Sequence, residues 1–250
     1  MKRFMLVLAG LVAIALLINS LVDWNPIRTN EESSGETVVL LHGLGRSNLV
    51  TKTMAKRLFE SGYNVKQIGY QSLFGDTPDE VVKEVTDQIN ECCSKLTKPV
   101  HFVGHSLGGL LVRAYLGENA VPNLGRVVLL GSPSKGTPIV DGLKGEWLLE
   151  VAGEMTKALG TDDSSGFLSS LKAPTYPLGV IAGVADAGRS EEIPGDDDGL
   201  VPLESTKVEG MSDFIILPVS HADMREDEKT YAQLLHFLKE GKFDHEAAQK

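Results

Sequence analysis

Val100-His101-Phe102-Val103-Gly104-His105-Ser106-Leu107-Gly108-Gly109 is the stretch on which the fold turns. A short apolar run, Val100 to Val103, leads directly into Gly104-His105-Ser106-Leu107-Gly108, and helical periodicity follows from Leu107 to Gly117. A G-x-S-x-G pattern alone is a weak signal; set between a strand and a helix it describes a nucleophile elbow. The glycines are required because the turn is too tight for side chains on either flank. The serine hydroxyl is thereby pushed into the open beside a helix N-terminus, whose dipole favours developing negative charge.

Working outward, strand-like and helix-like segments alternate. Thr37-Val38-Val39-Leu40-Leu41 is a continuous apolar run of the kind buried on both faces of a sheet. Similar runs occur at Val127 to Leu130, Leu178 to Val184 and Phe214 to Val219, with a weaker one at Tyr63 to Ile68, so six strands are predicted. Thr77-Pro78-Asp79-Glu80 combines an N-cap, a proline at the first helical position and a glutamate three residues after the cap. Apolar positions then recur at Val81, Val85, Ile89, Cys92 and Leu96, which predicts one buried stripe with Cys92 facing the core. Further helices are expected at Asn48 to Glu60 and Asp227 to Glu240. This alternation predicts an α/β domain, a mostly parallel sheet with helices on both faces. Residues 132–177 break the rhythm. A helical patch from Glu146 to Leu159 lies within them, with Trp147, Leu148, Val151, Met155 and Leu159 expected along one side. A segment that long is read as a cap over a site or as a structural excursion.

The N-terminus carries a different message. Lys2 and Arg3 precede an apolar run from Phe4 to Ile18, the pattern of an export signal. Phe4 to Val22 would span roughly 28 Å as a helix, close to a bilayer core of about 30 Å. A cleaved signal peptide and a retained membrane anchor therefore both remain open for residues 1–22, either one leaving the domain on the periplasmic or extracellular side. A polar linker is expected at 23–36, a catalytic domain at 37–241 and a polar tail at 242–250. The formal net charge is −10, and losing Lys2 and Arg3 makes it two units more negative, so nucleic acid is not an expected partner. Cys92 and Cys93 are the two cysteines, and neighbours rarely meet disulfide geometry, so two thiols are expected.

Three motifs together carry a resemblance: His42-Gly43-Leu44-Gly45 after the first strand, Gly104 to Gly109 at the elbow, and Asp198-Gly199-Leu200-Val201 followed by His221. From Thr37 to about Glu240 the chain resembles the bacterial lipases and esterases of the α/β-hydrolase superfamily, especially the compact secreted triacylglycerol-lipase branch. It is also similar to GPI inositol-deacylase-like hydrolases. The resemblance implies a catalytic triad in the order Ser106, Asp198, His221. It also implies an oxyanion hole formed by the backbone N–H groups of Leu44 and Leu107. Asp196, Asp197 and Asp186 compete with Asp198 for the acid; His42, His101, His105, His236 and His245 compete with His221, which stands just past the last strand. His42 is also a candidate for shaping the oxyanion loop or touching substrate, together with Trp147, Leu148, Val151 and Met155.

His221-Ala222-Asp223 echoes a calcium ligand of some secreted lipases, but no second carboxylate stands at the required spacing, and no metal or other cofactor is expected. The expected partner is a small-molecule or lipid ester, with membrane association through residues 4–22. The activity this implies is hydrolysis of carboxylic esters with an apolar acyl group, through an acyl-enzyme on Ser106. An acyltransferase or thioesterase using the same triad, and a non-catalytic binding protein on the same scaffold, are the alternatives.

Overall fold

Short runs of β-branched and aliphatic residues form strands wherever both faces can be covered, and six do so here. The computed structural model describes residues 35–45, 47–73, 76–185 and 193–248, apart from the side chains of Trp147, Leu148 and Glu150. The strands are β1 (Thr37–Leu41), β2 (Asn64–Ile68), β3 (Val100–His105), β4 (Leu124–Leu130), β5 (Leu178–Gly183) and β6 (Asp213–Leu217). They form one sheet in the order β2-β1-β3-β4-β5-β6, and every neighbouring pair is parallel. The chain leaves β1 towards β2 on one side and returns to β3 on the other. The strand order therefore reverses between β1 and β3, the switch point at which ligands bind in open α/β sheets.

Alternate residues of each strand feed two cores. Val39, Leu41, Phe102, Val127, Leu129 and Val180 face one side of the sheet, where α2 (Pro78–Cys93) and α3 (Leu107–Glu118) cover them. Val38, Leu40, Val103, Val128, Leu130 and Ile181 face the other, beneath α1 (Lys52–Glu60) and, later in the chain, the helix Glu228–Glu240.

Helix α2 starts where the sequence says it should. Thr77 accepts from the Glu80 N–H, and the Glu80 carboxylate accepts from the Thr77 N–H at 2.9 Å, a reciprocal capping box. Its buried stripe is Val81, Val85, Ile89 and Cys93. The stripe advances by four residues at each step, so Cys93 is its fully buried member, while Cys92, half-buried, packs against the same core. Leu96 lies past the helix end and still packs on the core. The correction here concerns the thiols, because Cys92 and Cys93 are joined by a disulfide. A bridge between neighbours closes so short a loop that little chain entropy leaves the unfolded state.

Residues 132–177 form four short helices: α4 (Pro138–Gly142), α5 (Trp147–Ala152), α6 (Glu154–Lys157) and α7 (Phe167–Ser170). The single helical patch expected from Glu146 to Leu159 is cut at Gly153, whose φ of 91° lies outside helical space. Met155, Ala158, Leu159, Phe167 and Leu168 anchor this segment in the core, and at its surface Lys144 pairs with Asp141 at 2.9 Å and Asp162 at 2.8 Å while the Thr161 hydroxyl donates to Asp141. After β5 come α8 (Leu203–Thr206), α9 (Glu228–Glu240) and α10 (His245–Ala248). No helix among the described residues is long and apolar enough to cross a membrane. The expected export segment, 1–22, lies outside the described residues.

Candidate active site

The elbow follows β3, whose last residues sit between β1 and β4. Ser106 has φ 57° and ψ −125°, and with Asp163 it is one of two non-glycine residues at positive φ among the described residues. Such a conformation is costly for a side chain that bears a Cβ and persists only where its surroundings enforce it. Here the Ser106 N–H donates to Leu130 O at 2.9 Å and its carbonyl accepts from the Gly109 N–H at 3.0 Å. The glycines leave no slack. A Cβ on Gly104 would lie 2.4 Å from Gly109 Cα, and one on Gly108 would lie 2.5 Å from Leu41 O. The first turn of α3 therefore rests directly on the ends of β1 and β3.

The acid and the imidazole come from the loops after β5 and β6. Asp198 is fully buried, and its Oδ1 accepts from the N–H groups of Leu200 at 3.0 Å and Val201 at 2.8 Å. Its Oδ2 accepts from His221 Nδ1 at 2.8 Å. The His221 N–H donates to the Asp198 carbonyl at 2.8 Å, and His105 Nε2 donates to the His221 carbonyl at 2.9 Å. Carboxylate and imidazole are thus tied at side chain and backbone alike. Gly131, at φ 54°, makes room for them: a Cβ there would lie 3.0 Å from Asp198 Oδ2 and 3.2 Å from His221 Nδ1.

Of the rivals, His105 shares a cavity with Ser106, its Nε2 bonded to the His221 carbonyl, and the others fall elsewhere. Asp196 is exposed, and Asp197 accepts from the Gly199 N–H at 2.7 Å, while Asp186 lies outside the described residues. His101 meets Glu36 near the start of β3, His236 donates to Lys242 O, and His245 pairs with Asp213. Asp223, the third residue of the H-x-D echo, accepts from the Ser220 hydroxyl at 2.6 Å. No group of three His, Cys, Asp or Glu able to hold a metal exists among the described residues.

Ser106 and His221 line one cavity of about 250 Å³, together with Gly43 and Leu44. Neither the Leu44 nor the Leu107 N–H donates to another protein group among the described residues. Beside them stands His105, and the remaining wall is Pro133, Thr137, Ile139, Val140, Leu143, Thr156, Leu159, Leu200, Val201, Ala222 and Arg225. Both threonine hydroxyls are engaged by backbone, Thr137 Oγ1 with Leu200 O at 2.5 Å and Thr156 Oγ1 with Ala152 O at 3.1 Å. The wall is therefore apolar in effect, with Arg225 as its charged member.

The residues expected to touch substrate are placed differently. Met155 is fully buried in the core and Val151 points to solvent, neither in the cavity wall, because the break at Gly153 rotates the two helical pieces relative to one another. The side chains of Trp147 and Leu148 lie outside the described ones. His42 is buried behind Gly43 and Leu44, its ring stacked on Tyr70 with centroids 4.1 Å apart. Burial pushes its pKa down to about 4, so the ring is neutral. The wall residues Ile139, Val140 and Leu143 had a local signal in the sequence: Thr137-Pro138 repeats the cap-plus-proline signature, and the Thr137 hydroxyl accepts from the Ile139 N–H.

Comparison with known proteins supplies an independent view. The family model of palmitoyl protein thioesterase matches residues 37–165, which contain the His42–Gly45 loop and the elbow and end before Asp198 and His221. No curated protein matches the chain in sequence. Among solved structures, the mature form of Bacillus licheniformis lipase BlEst2 superposes with a TM-score of 0.69 at 18% identity, covering 86% of this chain and 94% of that one. Phospholipase PlaB from Legionella pneumophila gives 0.62 at 13% identity, over 86% of this chain and 61% of that one. The esterase EaEST from Exiguobacterium antarcticum gives 0.56 at 18% identity, over 87% and 97%. At these identities the likeness is one of fold, the α/β-hydrolase fold.

Proposed function

The chain belongs to the palmitoyl protein thioesterase family, and from that premise we propose that it is a serine hydrolase that cleaves esters of apolar acyl groups through an acyl-enzyme on Ser106. The observation that carries this reading is a strained serine sharing an apolar cavity with an imidazole whose Nδ1 is held by a buried carboxylate. With Nδ1–H donating to Asp198, Nε2 of His221 is the free lone pair, able to take the Ser106 proton as Oγ attacks the acyl carbonyl. The same nitrogen returns that proton to the leaving group. Water then repeats the sequence on the acyl-enzyme, His221 again acting as base. Charge on the tetrahedral oxygen falls to the N–H groups of Leu44 and Leu107, each donor worth about 2.7 to 4 kcal/mol. In this reading residues 132–177 cap the site, with Ile139, Val140 and Leu143 against the acyl chain, and residues 1–22 direct the domain out of the cytoplasm.

The family favours a second reading for the bond itself. A thioester carries the same acyl group on sulfur, and its thiol leaves with a pKa near 8.5, so the proton from His221 matters less than for an alcohol. Hydrolysis of p-nitrophenyl esters of graded chain length, by wild type and Ser106→Ala, tests the shared mechanism. Turnover should fall about 10⁴-fold or more in the variant, and equal turnover by the two would remove Ser106 from the chemistry. Measuring kcat/KM on an octanoyl ester and an octanoyl thioester then ranks the two bonds.

A further inference from the structure

The oxyanion loop is four residues long and bears two glycines, so something outside it must fix where its N–H groups point. The segment following β2 is in position to do so. Tyr70 lies two residues past Ile68, as Gly43 lies two past Leu41, and Ile68 pairs with Leu41 in the sheet. The Tyr70 hydroxyl donates to the His42 carbonyl, and its ring lies parallel to the His42 imidazole, with 9° between the planes. The His42 carbonyl is packed from the other side by the elbow, since a Cβ on Gly108 would come within 2.6 Å of it. Just beyond, the Gly45 N–H donates to Ser72 Oγ at 3.0 Å.

The consequence for Leu44 follows from peptide geometry. His42 Nδ1 donates to the Gly43 carbonyl at 2.8 Å. That carbonyl and the Leu44 N–H belong to one planar trans peptide, so fixing the direction of the first fixes the second, pointing the opposite way. Whatever holds the imidazole therefore aims the Leu44 N–H. His42 Nε2 is buried without a partner, so no hydrogen bond on that side of the ring fixes its orientation. Stacking on Tyr70 supplies the restraint instead. Burial also raises the Tyr70 hydroxyl well above its ordinary pKa, so it stays a donor throughout the working range.

We propose that Tyr70 is a positioning residue for the oxyanion hole, holding His42 by stacking and by its hydroxyl so that the Gly43–Leu44 peptide presents its N–H to the tetrahedral oxygen. This rests on the serine-hydrolase reading. Tyr70 touches no reacting atom and acts only through His42.

The test is Tyr70→Phe, which retains the stack and removes the hydroxyl, alongside Tyr70→Leu, which removes both. Active sites are titrated with a fluorophosphonate probe, so that rates refer only to folded enzyme bearing a competent Ser106. Misaiming a donor should cost less than the hundred- to thousandfold expected for deleting one. The expected result is a kcat roughly tenfold lower in Tyr70→Phe and lower still in Tyr70→Leu, with KM unchanged. Affinity for an alkyl boronic acid, which places a tetrahedral oxygen in the hole, should fall by the same factor. Retention of kcat and boronate affinity within twofold overturns the inference, as does a loss carried by KM with boronate affinity intact. Failure of the underlying reading looks different: wild type itself would show no Ser106-dependent turnover and no probe labelling.

Discussion

The elbow and the insertion at 132–177 meet at the same cavity and are built on opposite plans. At the elbow, backbone lies against backbone: Cβ atoms added to Gly104 and Gly108 would lie 2.4 and 2.5 Å from the nearest backbone atoms. In the insertion, Gly136 is packed against Gly160 O, which an added Cβ would approach to 2.6 Å, but Gly142, Gly145 and Gly166 have nothing within 4 Å of an added Cβ. The elbow is held by strand ladders and backbone packing, whereas the insertion is held by side chains: Met155, Ala158, Leu159, Phe167 and Leu168 reach into the core, and at the surface Lys144 pairs with Asp141 and Asp162, which water screens. Groups assigned to bond breaking thus sit on a frame with no slack, and groups that would meet the acyl chain sit on one with room to vary. That division suits a fold in which one chemistry serves many substrates.

The same substitution, glycine to alanine, can be asked of both regions. At Gly104 the obstacles are Gly109 Cα, Gly109 N and Gly108 C, all backbone and none able to rotate away. Either α3 lifts from β3 and the elbow opens, or the chain fails to fold. Gly104→Ala should cost about 4 kcal/mol or more, read as loss of soluble protein or a collapse of the thermal midpoint, with labelling of Ser106 by a fluorophosphonate abolished. A variant that purifies with the wild-type midpoint and labels normally would show that the elbow has slack, and the contrast would be gone.

The two plans also explain what the sequence made legible. All six strands stand near their expected places, because an apolar run of five or six residues between polar loops has few other stable fates in a chain of this length. The capping box at Thr77 was readable because its chemistry is complete within four residues. Stripe and break were harder. A period of 3.6 permits a step of three or four after Ile89, and only packing selects Cys93 over Cys92. Gly153 carries no sequence mark distinguishing a tolerated helical glycine from one at φ 91°. Only the Gly-Leu-Val that follows marks Asp198 out from Asp196 and Asp197 in the sequence; burial sets Asp196 apart, and the 2.8 Å contact with His221 sets Asp198 apart from the equally buried Asp197. Tyr70 had no signal, since its partner stands 28 positions earlier and is reached only through the β1–β2 register.

Acid should loosen the packed side in a way that the polar side does not share. His42 is buried and neutral, with its pKa lowered from 6.5 to about 4 by desolvation, while in the unfolded chain it titrates normally. Between those values the unfolded state binds the extra proton and the folded state resists it. The stability this group contributes is therefore complete above pH 6.5 and lost progressively as pH falls to 4, amounting to roughly 3 kcal/mol across the window. Urea midpoints for wild type and His42→Gln at pH 7.5, 5.5 and 4.5 measure it. Wild type should lose stability more steeply with acid than the variant; parallel curves would mean that His42 is solvated, and the packed description of the oxyanion loop would fail with it.

The smallest effect carries the opposite sign. Gly142 is the last residue of α4, beside the cavity wall at Ile139, Val140 and Leu143. It does not need positive φ, and a Cβ there meets open space. Alanine at such a position narrows the unfolded ensemble without straining the folded one, a gain of about 0.5 kcal/mol. For a domain of this size that raises the thermal midpoint by roughly 1 to 2 °C. Turnover of short and long esters should stay as in wild type, because no group in the cavity moves. If Gly142→Ala instead lowers the midpoint or narrows the range of chain lengths accepted, the insertion is packed as tightly as the elbow. The acyl side would then be as intolerant of change as the serine side.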